Sequence, residues 1–220
     1  MYEVTSRVAE LADKIVEAVP RFDTPGKEVA VALYRLLSEG QPVPLKRIAE
    51  AVSLPEATVE ATILKWPLFR DDRGAVIGFG GLTVAEMPPH RLAVDGKTLH
   101  TWCAWDSLFI PGILGKTATV ESICPVTKAR ISLEVAPKGI RNLVPPTVVV
   151  SFLTPERTFD RNVIVNFCHF VHFFRDAKAA DDWISRHPGT FLLSLDEAFA
   201  LGQVTNARNF GQTLGRERSC

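Results

Sequence analysis

The chain has 220 residues, 46% of them hydrophobic and 23% charged. This is the composition of a soluble globular protein with one large domain or two small ones. Its 25 Lys and Arg balance 25 Asp and Glu, which excludes a bulk attraction to nucleic acid or anionic membrane. Glu10, Asp13, Lys14 and Glu17 interrupt any apolar leader. No apolar run approaches the ~20 residues of a membrane helix, so a cytoplasmic protein without a membrane partner is expected.

Val4, Val8, Leu11, Ile15 and Val19 recur at helical spacing and predict an amphipathic helix ending before Pro20. A second helix is expected over Lys27 to Leu37, stopping at Gly40, and a third from about Leu45 to Val52. Pro55 suits the first turn of a fourth, which carries Val59, Ile63 and Leu64. An Asp71-Asp72-Arg73-Gly74 turn and an extended Ala75–Phe79 then outline a small hairpin. Helix, helix, turn, helix and hairpin resemble a winged helix-turn-helix, which defines an N-terminal module over residues 1–80. Its would-be recognition helix presents Glu56 and Glu60, with only Lys65 as a base. A DNA reader needs cations and amides there, so nucleic acid is not the expected partner.

Residues 81–220 are expected to form an α+β core of mostly antiparallel strands with flanking helices. Arg91–Val94 and Thr98–Thr101 flank Asp95-Gly96-Lys97, a hairpin signal. A helix is expected from Trp102, broken or kinked at Pro111-Gly112. Alternating segments follow at Ala118–Ile123, Ala129–Val135 and Thr147–Leu153. The run Asn162–Phe174 is apolar on both period-two faces and is expected as a central strand, with Cys168, Phe170 and His172 on one face. Helices over Ala177–Arg186 and Leu195–Leu201 precede a polar tail past Gly211.

The four cysteines, Cys103, Cys124, Cys168 and Cys220, form no CxxC pair. In a reducing compartment they are expected as free thiols. Cys124 stands at a strand end beside a turn and reads as structural; Cys220 in the tail has no assigned role. The chemistry centres on His100-Thr101-Trp102-Cys103-Ala104-Trp105-Asp106. If a helix opens after Thr101, Cys103 and Asp106 share one face of its first turns, and the unpaired N–H groups there favour a thiolate. Other chemistries remain open on residues alone. Cys103, Cys168, His169 and His172 would suit zinc if the fold gathered them. Cys103 with His172 or His100 would suit nucleophilic catalysis.

Three blocks together carry a resemblance: LHTWCAWDSLFIPGILGKTATV, then NFCHFVHFF, then DEAFALGQ. In this order, behind a winged-helix-like part, they resemble the organomercurial (alkylmercury) lyase family. The resemblance implies protonolysis of a carbon–mercury bond of alkyl- and arylmercury compounds, giving a hydrocarbon and Hg(II). It places the two mercury-binding cysteines on Cys103 and Cys168 and the proton carrier on Asp106. It implies no cofactor, because no redox change occurs. The partners it implies are the organomercurial itself and an acceptor of product mercury, either a low-molecular-weight thiol or a mercuric reductase. Thiolates are the soft ligands that mercury prefers, and thiols release protons on binding metal, which a nearby carboxylate can carry. Trp102, Trp105 and Phe170 are the expected walls of a substrate pocket that raises the proton affinity of Asp106. Some members of the family have a further cysteine after the second catalytic one; here that position is His169. The alternative reading is a mercury- or thiol-responsive winged-helix regulator, with the same cysteines as sensor.

Overall fold

The structure, a computed structural model, describes residues 4–215. Cys220 lies outside the described residues. Four helices open the chain: α1 (Ser6–Ala18), α2 (Thr24–Leu37), α3 (Leu45–Val52) and α4 (Glu56–Ile63). Their starts are chemically marked. Thr5 accepts a hydrogen bond from the Val8 N–H, and Asp23 accepts one from the Gly26 N–H at 2.8 Å, so each satisfies a free donor of its helix end. The Asp23 cap starts α2 three residues before Lys27. α3 ends at Ser53 in the left-handed region, φ 57°, which turns the chain toward α4.

The strands β1 (Leu68–Arg70), β2 (Val76–Phe79), β3 (Leu82–Thr83), β4 (Arg91–Val94) and β5 (Lys97–Thr101) precede α5 (Asp106–Leu114). Then come β6 (Ala118–Ile123), β7 (Arg130–Ala136), β8 (Gly139–Val144) and β9 (Val149–Leu153). The chain ends with α6 (Val163–Asn166), β10 (Phe173–Phe174), α7 (Ala177–Ser185), β11 (Thr190–Ser194) and α8 (Leu195–Phe210). Eight strands form one sheet in the order β1-β2-β3-β5-β4-β6-β7-β8, and β10-β9-β11 form a second. All of these pairs are antiparallel, so the chain is α+β as expected. The small hairpin β1–β2 continues through β3 into β5, so the sheet runs unbroken past residue 80. No helix of the described residues is long and apolar enough to cross a membrane.

The expected β4–β5 hairpin forms, with Val94 paired to Lys97 and both Asp95 and Gly96 at positive φ. That backbone matches strand twist in a two-residue turn. Strand β6 alternates buried and exposed residues without a break, the signature of a sheet with one face on the core.

Three expectations need correction. Asn162–Phe174 is not a strand: Val163–Asn166 is an α-turn, Cys168–Phe170 a 3-10 turn, and only Phe173–Phe174 pairs with β9. Val163, Phe167 and Val171 are buried at spacing four, alongside Cys168, Phe173 and Phe174; that spacing is a helical rhythm hidden inside a continuous apolar run. The helix expected from Trp102 begins at Asp106 and carries Pro111 within it. The last helix continues beyond Leu201 to Phe210, opened by a capping box between Ser194 and Glu197.

Candidate active site

Cys103 sits in a turn between β5 and α5, not inside the helix. Three bonds hold the turn: Trp102 N–H to the Gly81 carbonyl at 2.9 Å, Cys103 N–H to Asp106 Oδ2 at 2.9 Å, and Ala104 N–H to the Val171 carbonyl at 3.1 Å. The last ties the turn to the segment carrying Cys168, where the Val171 N–H donates to the Cys168 carbonyl at 3.1 Å. From β9, Ser151 clamps the same segment: its hydroxyl donates to the Phe170 carbonyl at 2.7 Å and accepts from the His172 N–H at 2.9 Å. Two remote stretches are thus locked together by backbone bonds.

The result is a cluster. One ligand atom each from Cys103, Asp106 and Cys168 lies within 4.8 Å of the others, and all three residues are buried. Cys103 is fully buried, and Asp106 and Cys168 are 6% and 4% exposed. Burial governs their proton affinities. It lifts the Asp106 carboxyl from 3.8 to about 7, although hydrogen bonds from Cys103 and from the Trp102 backbone pull it down. It holds the Cys103 thiol well above its ordinary range, with the neighbouring Cys168 and the Asp106 charge pushing the same way. At Cys168 the hydrogen bond with Cys103 pulls the thiol down, yet burial and the Asp106 charge outweigh it and leave it raised. The thiolate expected from a helix end is disfavoured instead: Cys103 precedes the helix, and desolvation works against the charged form. At neutral pH both thiols keep their protons, while Asp106 is divided between acid and carboxylate.

A cavity of about 90 Å³ opens onto Asp106 and Cys168. Its walls are rich in aromatic side chains, including Trp102, Trp105, Phe109, Phe159 and Phe167. Trp105 is fixed by its indole N–H, which donates to the Ala198 carbonyl at 3.0 Å. Helix residues Ile15, Tyr34 and Phe210 close the cavity from α1, α2 and α8. Phe170 is not among its lining residues. It borders a shallow outer groove and packs edge-on against His169 and His187. The helical turn at 163–166 swings Phe167 inward in its place.

The histidines do not join the cluster. Among the described residues, Cys103, Asp106 and Cys168 are the one group of three or more such side chains that could hold a metal ion. His172 Nε2 is bonded to the His169 carbonyl at 2.7 Å, and His169 is exposed. The zinc set is thus not assembled, and neither His100 nor His172 is among the groups that act on the Cys103 thiol.

Residues 82–205 match the alkylmercury lyase (MerB) family. The chain belongs to that family. Alkylmercury lyases from Staphylococcus epidermidis and Pseudomonas putida are 38% identical over 177 residues and 39% identical over 175. The first match covers 80% of this chain and 80% of the relative; the second covers 79% and 81%. A solved structure described as the mercury-bound form of MerB2 superposes with a TM-score of 0.74. It covers 96% of this chain and 100% of the other at 17% identity, which supports the shared fold. This alkylmercury lyase family member is accordingly an enzyme.

Two positions missed in the sequence shape the site of this family member. A Cβ on Gly81, at φ +94°, would strike the Asp106 carboxyl. A Cβ on Gly80, at φ +54°, would strike the Tyr34 hydroxyl, which donates to the Gly80 carbonyl at 2.7 Å. Paired glycines ahead of a strand were the available signal, but which side chain fills the space they leave is settled only by the fold.

Proposed function

We propose that this chain cleaves the carbon–mercury bond of alkyl- and arylmercury compounds by protonolysis. The observation that carries the reading is the buried Cys103–Asp106–Cys168 cluster at the end of an aromatic cavity. An organomercury cation enters with its organic group against the aromatic wall and its mercury toward the sulfurs. Cys103 and Cys168 each form an Hg–S bond and lose a proton. One proton passes to the Asp106 carboxylate; the other leaves to solvent. Two thiolates on one mercury put electron density on the metal and leave the bound carbon with carbanion character. Asp106 then delivers its proton to that carbon. The Hg–C bond breaks, a C–H bond forms, the hydrocarbon leaves, and Hg(II) remains on the two sulfurs. Mercury keeps its oxidation state throughout, so the step requires no nicotinamide or flavin. Release of Hg(II) from two thiolates is slow unaided, which calls for an exogenous thiol or a mercuric reductase as acceptor.

A regulator built on the same cysteines has less support. Arg70, on the small hairpin, is engaged with Glu60 of α4 at 2.9 Å and is not free for phosphate. The decisive test is hydrocarbon release from methyl- or phenylmercury in excess thiol. Release by the wild type and none by Cys103→Ala or Cys168→Ala is the expected result. Full turnover by Cys168→Ala would overturn the two-thiolate mechanism.

A further inference from the structure

The cavity has a polar feature that the proton chemistry does not use. Thr205, on α8, lines it and is only 5% exposed, yet its Oγ1 has no hydrogen-bond partner. A buried helical threonine ordinarily bonds a carbonyl one turn back on its own helix; this one does not. An unmade bond at a buried hydroxyl is a cost to the folded state. The amide of the next residue, Asn206, is committed elsewhere, donating to the Phe109 carbonyl at 2.9 Å. Thr205 therefore keeps an unused donor and acceptor in the wall of a cavity that also opens onto Asp106 and Cys168.

We propose that Thr205 is a polar subsite for the organic group of the substrate. It takes a short alkyl chain on mercury that carries a hydroxyl or ether oxygen away from the metal. This rests on the lyase reading and adds the substrate class. Cavity size favours a short chain over a ring: about 90 Å³ is available, against roughly 150 Å³ in an apolar cavity that admits benzene. Aromatic walls such as Trp105 and Phe109 hold the methylenes, and the threonine hydroxyl answers the oxygen. A site with a hydrogen-bonding group penalises the analogue that leaves that group unpaired.

The test compares 3-hydroxypropylmercury with n-butylmercury, which have chains of equal heavy-atom count, on the intact enzyme in excess thiol. Propan-1-ol and butane are measured, and the readout is the ratio of the two kcat/KM values. Thr205→Val, close in shape, is expected to lower the hydroxypropyl-to-butyl ratio about tenfold. Thr205→Ser is expected to keep it. A general loss of packing or fold would lower both substrates together and leave the ratio where it was. A Thr205→Val ratio within about twofold of wild type overturns the subsite. Failure of the wild type to release product from either compound overturns the lyase reading, and the subsite with it; the two failures are therefore distinguishable.

Discussion

Replacing Asp106 with Asn should stabilise the unliganded protein while disabling it, and the gain should depend on pH. Burial moves the Asp106 carboxyl from 3.8 to about 7 in the folded state. Below pH ~4 the carboxyl is protonated in both folded and unfolded chains, and its titration contributes no difference. As pH rises, the unfolded chain gives up its proton while the folded chain keeps it, so wild-type stability falls until about pH 7 and then levels. At about 1.4 kcal/mol per pH unit, the full loss by pH 8 is ~4 kcal/mol. Asn has the same shape, can still accept from the Cys103 N–H, and does not titrate. Its advantage over Asp should therefore grow by about 3 kcal/mol between pH 5 and pH 8. Urea denaturation of both proteins at each pH measures it. Buried His90, near 3, and half-buried His172, near 4, lower stability in acid equally in both proteins and cancel. Hydrocarbon release by Asp106→Asn should drop by about 10²–10⁴-fold while Hg(II) binding to the two thiols persists. A stability difference that stays constant from pH 5 to pH 8 would show that the carboxyl titrates in the ordinary range. The shuttle would then lose its basis at neutral pH.

The other predictions concern the frame around the trio and the order of proton movement. Gly81→Ala forces a Cβ into the Asp106 carboxyl at φ +94°; release should fall by about a hundredfold or more with two-thiol Hg(II) binding retained, checked by single-turnover release beside a mercury titration. Cys124 is fully buried, and its sulfur accepts from the Thr127 N–H at 3.5 Å; Cys124→Ala should lower the melting temperature and leave release per folded molecule unchanged. If Asp106 must begin as a carboxylate to receive the thiol proton, kcat/KM for methylmercury should rise with pH through about 7. A profile that instead falls through that pH would mean the proton is already in place before substrate binds.

The fold was legible where the local signal and the tertiary outcome agreed. Asp95-Gly96 between alternating strands set the β4–β5 hairpin, and apolar spacing set α1 through α4. β8 was missed because Gly139–Val144 is an edge strand with no fully buried position, so it carries no period-two pattern. The run Asn162–Phe174 failed for the opposite reason. It is apolar at almost every position, and such a run fits a strand or a helical turn equally well. That error put Phe170 on the pocket wall where the fold places Phe167. Cys103 and Asp106 could be paired from their spacing alone. Cys168, a zinc candidate on the residues alone, joined Cys103 and Asp106 through the family resemblance, because the contact that brings it near depends on Ala104 meeting the Val171 carbonyl. Tyr34 and Gly81 shape the site from positions remote from it in the chain, and no local pattern announces such a contact.

The proton affinities also explain why a site of this kind can remain idle until mercury arrives. Two thiols near one carboxyl, all desolvated, resist ionisation together, because each new charge would be buried beside another. An ordinary cation must compete with those protons and supply enough binding energy to expel them. Mercury does so through its preference for sulfur. The same burial that keeps the thiols protonated places Asp106 near neutrality, where a carboxyl can both accept and release a proton, as the proposed protonolysis requires. A more exposed site would hold readier thiolates, but it would pair them with a carboxylate near 3.8, which retains a proton poorly at neutral pH. Thiol reactivity at rest and proton carriage by Asp106 therefore vary in opposite directions with burial. This chain lies on the buried side, where the proposed mechanism has the metal itself generate the thiolates.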